Sequence, residues 1–484
     1  MSLLGGHGRN GGRSDPLRDP IRFIDERTSA APLARKGLRY IFPDHWSFLL
    51  GEVALYAFIV LVVTGIYLAL FYDDSTAKVV YHGSYAPLDG QTMSAAYRSV
   101  VNISLSYQAG LLMRQTHHWA ADVFVASIVV HLMRVFFTGA FRRPRELTWL
   151  VGLGLLTIAL LEGYLGYSLV DDLLSGMGLA IGYGVGLSIP IIGGPAMLAI
   201  FGAPFPGNSL FFSRMYIMHV LLLPMAIATM IGIHLALIAA RHHTQFKEGK
   251  RTTERRIVGA PMFPAQVPRS VGLMFFTAGI LFLLGGLVQI NPIWQWGPFE
   301  PWIGTNGAQP DWYLGWLIGA LRLMPSFDVV VGHFTLIPNP FWGGVAFPGV
   351  VFTLLGAWPW LERRFTGDAR VHNIADRPRD APNRTAFGVA LLSWVFMIFL
   401  FGAADRILVL WSLGYNTQLN MFRVAIWVVP AALFFIVRRW CRSLRAADKV
   451  EEDREQAEKE AAAHAAKVHA TVERARRLSD PQLK

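Results

Sequence analysis

Four histidines in two apolar segments have the spacing expected of paired haem or metal ligands. His117 and His131 are 14 residues apart, and His219 and His234 are 15 residues apart. In an α-helix either spacing covers about four turns and about 21 Å, and it returns the side chain to within roughly 60° of the same face. Each segment therefore predicts a helix that presents two imidazoles to a neighbour, one near each end. Two such helices side by side form two bis-histidine sites.

Imidazole is an axial ligand of haem iron, and filling both axial positions favours electron transfer over oxygen chemistry. The alternative for any single histidine is a hydrogen bond to a neighbouring helix, but two matched pairs favour haem. His118 points about 100° away from His117, so only one of them can face the haem, and the spacing to His131 favours His117. The single cysteine, Cys441, excludes a covalent haem c and a thiolate iron–sulfur cluster within this chain.

Arginines and glycines accompany the four histidines. Arg114, Arg134 and Arg214 are close to them in sequence, and a guanidinium can bind a haem propionate through two hydrogen bonds. The alternative is that these arginines reach towards the membrane surface. A missing side chain also lets a porphyrin edge approach a helix, as small residues let helices approach each other. Four glycines on two other apolar segments repeat the 14-residue step: Gly51 with Gly65, and Gly152 with Gly166.

The elements that must position these residues are membrane helices. Hydrophobic residues make up 53% of the 484 residues, and a helix of roughly 20 residues is needed to cross about 30 Å of hydrocarbon. Eight stretches qualify, near 47–72, 115–138, 148–170, 215–240, 270–290, 343–361, 386–404 and 421–440. The sequence therefore predicts an all-α transmembrane fold with eight transmembrane helices, the first four forming a di-haem bundle.

The distribution of charge predicts the orientation in the membrane. The loops after the second, fourth and sixth helices are densely basic, so the positive-inside rule assigns them and both termini to the cytoplasm. The formal net charge is +11, and the basic residues responsible for it lie between the hydrophobic segments. This distribution favours a lipid membrane over nucleic acid as the partner. The predicted divisions are a cytoplasmic segment at 1–45, the di-haem bundle at 46–240, a C-terminal membrane domain at 241–440 and a charged cytoplasmic tail at 441–484.

Several stretches resemble the cytochrome b family of bc1 and b6f complexes, and the resemblance runs from about residue 45 to 440. They are GLLMRQTHHWAADVFVASIVVHLMR at 110–134, FRRPRELTW at 141–149, SRMYIMHVLLLP at 213–224 and QPDWYLGW at 309–316. The eight helices in one chain and the stretch GYSLVDDLLSGMG at 166–178 look most similar to the actinobacterial bcc complexes.

This resemblance implies a subunit of a respiratory quinol:cytochrome c reductase in a bacterial plasma membrane. In the family, two non-covalent b haems are bound, so His117 and His219 would ligate the low-potential haem near the outer side. His131 and His234 would ligate the high-potential haem near the cytoplasm. The implied reaction is a proton-translocating Q-cycle with menaquinol as substrate. The implied partners are a Rieske iron–sulfur subunit, a cytochrome c subunit, a terminal oxidase in a supercomplex and a second copy in a dimer.

The family motif Pro-Glu-Trp-Tyr beside the quinol oxidation pocket corresponds here to Pro310, Asp311, Trp312 and Tyr313, within the long outer loop 291–342. A carboxylate there can accept a proton from quinol. Asp is shorter than Glu, and the alternative is that Asp311 only caps a loop helix.

The family pattern of the cytoplasmic quinone site is not recognisable, since 260–270 is APMFPAQVPRS. We nominate Arg241, His242 and His243 as the residues that line this site instead. The alternative is that these three are solvated loop residues.

Two other classes of protein share some of these features. A di-haem membrane anchor for a soluble dehydrogenase uses the same ligands, but it usually has fewer helices and no acidic Trp-Tyr loop. A transporter can use intramembrane histidines as a proton relay. Haem content and the co-purifying subunits distinguish these two classes from a quinol:cytochrome c reductase.

Overall fold

The computed structural model describes residues 19–247, 252–304 and 310–479, and in this part of the chain eight helices are long and apolar enough to cross a membrane. They are Trp46–Ala69, Gly110–Phe137, Glu146–Ser168, Ser209–Arg241, Met262–Leu287, Trp342–Thr366, Pro382–Gly402 and Tyr415–Ala475. We number them as the first to the eighth membrane helix. Each predicted stretch overlaps one of them, so the predicted eight-helix fold is confirmed.

The first four membrane helices share one buried core. Each contributes at least one fully or almost fully buried residue to it, namely Ala57, Ala120, Ala159 and Ile227 in turn. Small side chains at such positions let helix backbones approach closely within a membrane. The fifth helix packs against the first two and adds Leu281 to the same core. A second core joins the sixth, seventh and eighth helices.

The fourth membrane helix contains one widened turn. It consists of α-helix Ser209–Ile217, the π-helical turn Met218–Leu222 and α-helix Leu223–Arg241. Pro224 has no backbone N–H, so it cannot donate the i to i−4 hydrogen bond of an α-helix. A π turn holds one residue more than an α turn. The 15-residue step from His219 to His234 therefore matches the 14-residue step on the second helix.

We call the end of the molecule with the connections after the first, third, fifth and seventh membrane helices the outer face, and the opposite end the inner face. The outer connections contain two hairpins, Lys78–Val80 with Thr92–Ser94 and Val329–Val331 with Phe334–Ile337. Their α-helices are Ala95–Leu105, Leu173–Leu187, Gly193–Phe201, Gly315–Leu323 and Ala404–Trp411. Their 3-10 turns are Ala86–Leu88, Ile293–Gln295 and Trp312–Leu314.

The inner face begins with helices Pro20–Thr28 and Ala30–Leu38, and strand Ile41–Phe42 then pairs with Ala260–Pro261. Arg145 joins two further inner loops, because its guanidinium donates to the carbonyls of Arg241, His242 and His372 at 2.8 to 3.0 Å. A 3-10 turn, Pro378–Asp380, precedes the seventh membrane helix. The α-helix of the eighth, Tyr415–Ser479, continues without a break into the charged tail, whose side chains are exposed from 451 to 475.

Candidate functional site

The outer pair of histidines lies between the second and fourth membrane helices. The ring centroids of His117 and His219 are 6.3 Å apart, and the ring planes are inclined by 78°. Thr64 Oγ1 lies 2.9 Å from Nδ1 of His117, and Glu162 Oε1 lies 3.0 Å from Nδ1 of His219. The hydrogen bond at Nδ1 fixes the ring of His117 and leaves its Nε2 available to a metal. Nδ1 of His219 is near Glu162 but makes no hydrogen bond among the described residues.

Glycines from the first and third membrane helices face this outer pair. A Cβ atom on Gly166 would lie 2.5 Å from Cε1 of His219, a separation that real side chains do not adopt. A Cβ atom on Gly65 would lie 3.2 Å from Cε1 of His117. The backbone of both helices is therefore as close to the imidazoles as a glycine permits.

The inner pair of histidines has the same arrangement. A Cβ atom on Gly51 would lie 3.4 Å from His131 Cε1, and one on Gly152 would lie 3.5 Å from His234 Cε1. The Nδ1 atoms of both histidines are buried and have no hydrogen-bond partner among the described residues. Half-buried imidazoles in two facing pairs, each imidazole beside a glycine, are a donor set that fits a flat, bis-histidine haem.

Two arginines near these pairs carry buried N–H groups that have no hydrogen-bond partner among the described residues. Arg114 is buried and donates to the carbonyl of Asn291 at 3.1 Å, while its Nε has no partner in the described part of the chain. The guanidinium of Arg134 lies 4.1 Å from the centre of the Phe48 ring, and its Nε and Nη2 are likewise unpartnered there. Such buried, planar donors suit a propionate. The predicted third arginine, Arg214, is exposed and donates instead to a backbone carbonyl.

Asp311 immediately precedes the 3-10 turn Trp312–Leu314, but its carboxylate does not cap that turn. Oδ1 accepts a hydrogen bond from Nε2 of His118 at 2.8 Å, and Oδ2 accepts one from the Tyr313 hydroxyl at 2.9 Å. The side chains of His118 and Asp311 are only 14% and 16% exposed. The carboxylate of Asp311 therefore belongs to a buried polar group rather than to a helix cap.

The electrostatics of this group keep Asp311 ionised. Burial alone would raise its pKa, but attraction to His118 and the hydrogen bonds from His118 and Tyr313 outweigh burial, so the pKa of Asp311 is below its ordinary value. Burial and the negative charge of Asp311 raise the pKa of Tyr313 well above its ordinary value. An ionised acceptor thus stands beside a hydroxyl that remains a donor. Pro310 is half-buried, and the Trp312 side chain next to the pair is 41% exposed.

Three ionisable side chains near these sites are not among the residues predicted from the sequence. His118 was set aside because it points away from His117, Asp122 lies one turn further on and is buried, and Glu162 approaches His219. An ionisable side chain inside a membrane helix is costly and therefore a functional candidate. That signal was present for all three.

An aromatic and histidine cluster lies on the inner face. The Tyr40 hydroxyl and His243 Nδ1 are 3.2 Å apart, and the Phe42 ring centre is 4.7 Å from that of His243. Burial lowers the pKa of His243 to about 3, and the charges of Arg134 and Arg145 act in the same direction. The imidazole is therefore neutral near pH 7. Of the two other nominated residues, His242 is exposed and stacks on Tyr40, and Arg241 is exposed.

A second polar group lies at the inner end of the first membrane helix. Glu52, next to Gly51, accepts hydrogen bonds from the Tyr56 hydroxyl at 3.0 Å and from Gln266 Nε2 at 3.3 Å. Gln266 also donates to the Ser270 hydroxyl at 3.2 Å. This group joins the first and fifth membrane helices.

Comparisons with known proteins give consistent matches. Residues 122–298 match the family described as Cytochrome b(N-terminal)/b6/petB. The chain is 46% identical over 427 residues to a protein of Mycobacterium tuberculosis named cytochrome bc1 complex cytochrome b subunit, covering 88% of this chain and 77% of the relative. A protein of the same name from Streptomyces coelicolor is 44% identical over 431 residues, with coverage of 88% and 78%.

The fold also matches a solved structure. A chain of a structure titled Hyperthermophilic respiratory Complex III superposes with a TM-score of 0.65 at 20% sequence identity. The match covers 86% of this chain and 98% of the other. At that identity the likeness concerns the fold.

Proposed function

This chain belongs to the family of cytochrome bc1 complex cytochrome b subunits, and we propose that it binds two b haems, one between His117 and His219 and the other between His131 and His234. It is a multi-pass membrane subunit of a quinol:cytochrome c reductase. The observation that carries the haem proposal is that each histidine is faced by its own glycine at close range. Bound haem supplies one-electron transfer across the membrane.

We propose that quinol is oxidised beside Asp311 on the outer face. The ionised carboxylate is the acceptor for a hydroxyl proton of the quinol, and His118 and Tyr313 orient it through the two hydrogen bonds described above. Trp312 and Pro310 line the same turn. A bound Rieske iron–sulfur partner would take one electron together with the second hydroxyl proton, and a haem held by His117 and His219 would take the other electron.

We propose that the quinone is reduced on the inner face, between the cluster of Tyr40 and His243 and the group of Glu52 and Gln266. Neutral His243 offers a hydrogen bond to a quinone oxygen, and Glu52 offers a carboxylate for proton uptake. Both groups lie at the end of the molecule that carries His131, the inner haem ligand. Arg134, over the Phe48 ring, is the candidate propionate partner on that side.

The basic loops support cytoplasmic termini and an outward-facing quinol pocket. The named relatives belong to a bc1 complex, which supports a Rieske subunit and a cytochrome c subunit as partners. Because those relatives are actinobacterial, we also propose menaquinol as substrate, a dimer of the complex and association with a terminal oxidase.

The visible spectrum and activity of the complex, purified through a tag on this chain, test the function. We expect reduced-minus-oxidised bands of two b haems and quinol:cytochrome c activity that a quinol-site inhibitor abolishes. Haem with a soluble dehydrogenase in place of the Rieske subunit would favour a di-haem anchor. Absence of b-type bands would favour a transporter.

Replacing Gly166 with alanine tests the outer haem site. The new methyl group would collide with His219, so we expect the bound haem to fall to about half and the low-potential component to disappear from a redox titration. Gly232→Ala, on the fourth membrane helix, is the control, because a Cβ atom there meets nothing within 4 Å. Full haem content in Gly166→Ala would contradict the proposed packing.

A further inference from the structure

Two adjacent aspartates and a glutamate lie at the outer end of the third membrane helix, and the steps above use none of them. Asp172 is completely buried and Asp171 is 8% exposed. The Phe299 N–H donates to the carbonyl of Asp171 at 3.0 Å, which holds the adjacent Glu300 against the pair. Asp171 interacts electrostatically with both Asp172 and Glu300. The three carboxylates therefore form one cluster.

Two oxygens of this cluster are buried without a hydrogen-bond partner among the described residues. Asp172 Oδ1 accepts from the N–H of Ser175 at 2.8 Å, but its Oδ2 has no such partner. Glu300 Oε1 is 3.0 Å from Lys78 Nζ, and its Oε2 is unpartnered. A buried polar atom left unpaired is costly. Each of these oxygens is an acceptor that a proton can occupy.

Tyr167 is near both the quinol pocket and this cluster, and the other end of the cluster reaches solvent. Tyr167 is buried, its hydroxyl is unpartnered within the described structure, and it is near enough to both Asp311 and Asp172 to interact with their charges. At the other end, the Glu300 side chain is 17% exposed and that of Lys78 is 51% exposed. The polar groups thus run from Asp311 to the outer surface.

We propose that Asp172, Asp171 and Glu300 form a relay that carries the proton from Asp311 to the outer aqueous phase, with the Tyr167 hydroxyl as the link from the pocket. The inference rests on the proposed function, because it requires quinol to be oxidised beside Asp311. Each member accepts one proton and passes one on, so the relay has no net chemical change. The two electrons of the quinol leave by the routes already given.

The acidities of the members favour outward transfer. Burial raises the pKa of Asp172 to about 6, against hydrogen bonds from Ser175 and the charge of Arg114. Burial raises the pKa of Asp171 to about 7, assisted by the charges of Asp172 and Glu300 and opposed by Ser94 and Lys78. The pKa of Asp311 is below its ordinary value, so both aspartates are stronger bases than Asp311.

The pH dependence of turnover follows from these values. The charged and titratable groups that face the aspartate pair are Lys78, Arg114, Glu300, Tyr72, Tyr97 and Tyr167. Below about pH 6 both aspartates are protonated and cannot accept another proton, and above about pH 7 both are ionised. Quinol oxidation should therefore rise with pH through this interval.

The double variant Asp171→Asn with Asp172→Asn, in the purified complex, tests the relay. Asparagine caps a helix as well as aspartate does, and it tolerates the left-handed backbone of Asp171, whose φ is +56°. We expect turnover with a soluble quinol at about pH 8 to fall on the order of tenfold and the rise with pH to disappear. Haem content and KM should stay unchanged. Asp89→Asn, at an exposed aspartate of the outer face, is the control.

The outcomes separate the relay from the pocket. An unchanged pH profile in the double variant, together with a large loss in Asp311→Asn, would overturn the relay and leave the proposed function intact. Unchanged turnover in both would overturn Asp311 as the proton acceptor, and the relay with it. The single variant Asp172→Glu has a carboxylate where the double variant has an amide. Its turnover should therefore rise with pH again, which a purely structural role of Asp172 would not require.

A milder substitution covers the case in which the double variant does not assemble. Glu300→Gln changes the partly exposed outlet of the relay and leaves the buried pair in place. We expect a smaller loss of turnover, about threefold, and a flatter pH profile. A wild-type profile in Glu300→Gln would then overturn the relay.

Discussion

Replacement of His219 with leucine is expected to remove the outer haem and to lower quinol oxidation by on the order of a hundredfold or more. Leucine has no nitrogen to bind iron, and the described part of the chain offers no second facing pair of histidines at its outer end. Bound haem should fall to about half, because the inner pair of His131 and His234 is untouched. Haem extraction and a redox titration of the purified complex measure both effects.

A variant of the inner histidine pair tests whether the two haem sites are independent of each other. His131→Leu should keep the outer haem and lose the inner one, so a single pulse of quinol should still reduce the remaining haem. His464→Leu is the control, because His464 is exposed on the charged tail. Loss of both haems in each ligand variant would indicate one coupled binding unit rather than two separable sites.

The histidine pairs could be predicted from the sequence because a helix has a fixed period. The steps of 14 and 15 residues specify one face of each helix whatever surrounds it. The 14-residue glycine steps follow for the same reason, and the structure puts each glycine against one histidine. The widened turn at Met218–Leu222, which makes the two histidine steps equivalent, was not predicted.

Contacts between distant segments could not be predicted in the same way. His118 and Asp311 are 193 residues apart, and their hydrogen bond depends on how the outer loop folds back over the second membrane helix. The angle between His117 and His118 excluded His118 as a ligand, but it could not show what His118 contacts. The inner cluster joins Tyr40 and His243 across 203 residues. No local period relates such positions.

Replacement of Asp311 with asparagine is expected to lower quinol oxidation by about a hundredfold to ten-thousandfold. Asparagine has nearly the same shape; its one carbonyl oxygen can keep the hydrogen bond from His118 and its NH2 can donate to the Tyr313 hydroxyl, but its amide cannot take a proton from quinol near neutral pH. Haem content should be unchanged, because no haem ligand is altered. Steady-state turnover with a soluble quinol, normalised to haem, is the measurement.

Asp311→Glu distinguishes proton acceptance from packing. Glutamate restores the carboxylate that the family motif carries at this position, at the cost of one extra methylene in a buried site, so turnover should recover to well above that of Asp311→Asn. Equal loss in both variants would mean that shape rather than proton acceptance matters. Full turnover in Asp311→Asn would exclude Asp311 as the acceptor, and the role would then pass to His118, the only other ionisable group hydrogen-bonded to it apart from Tyr313 in the described structure.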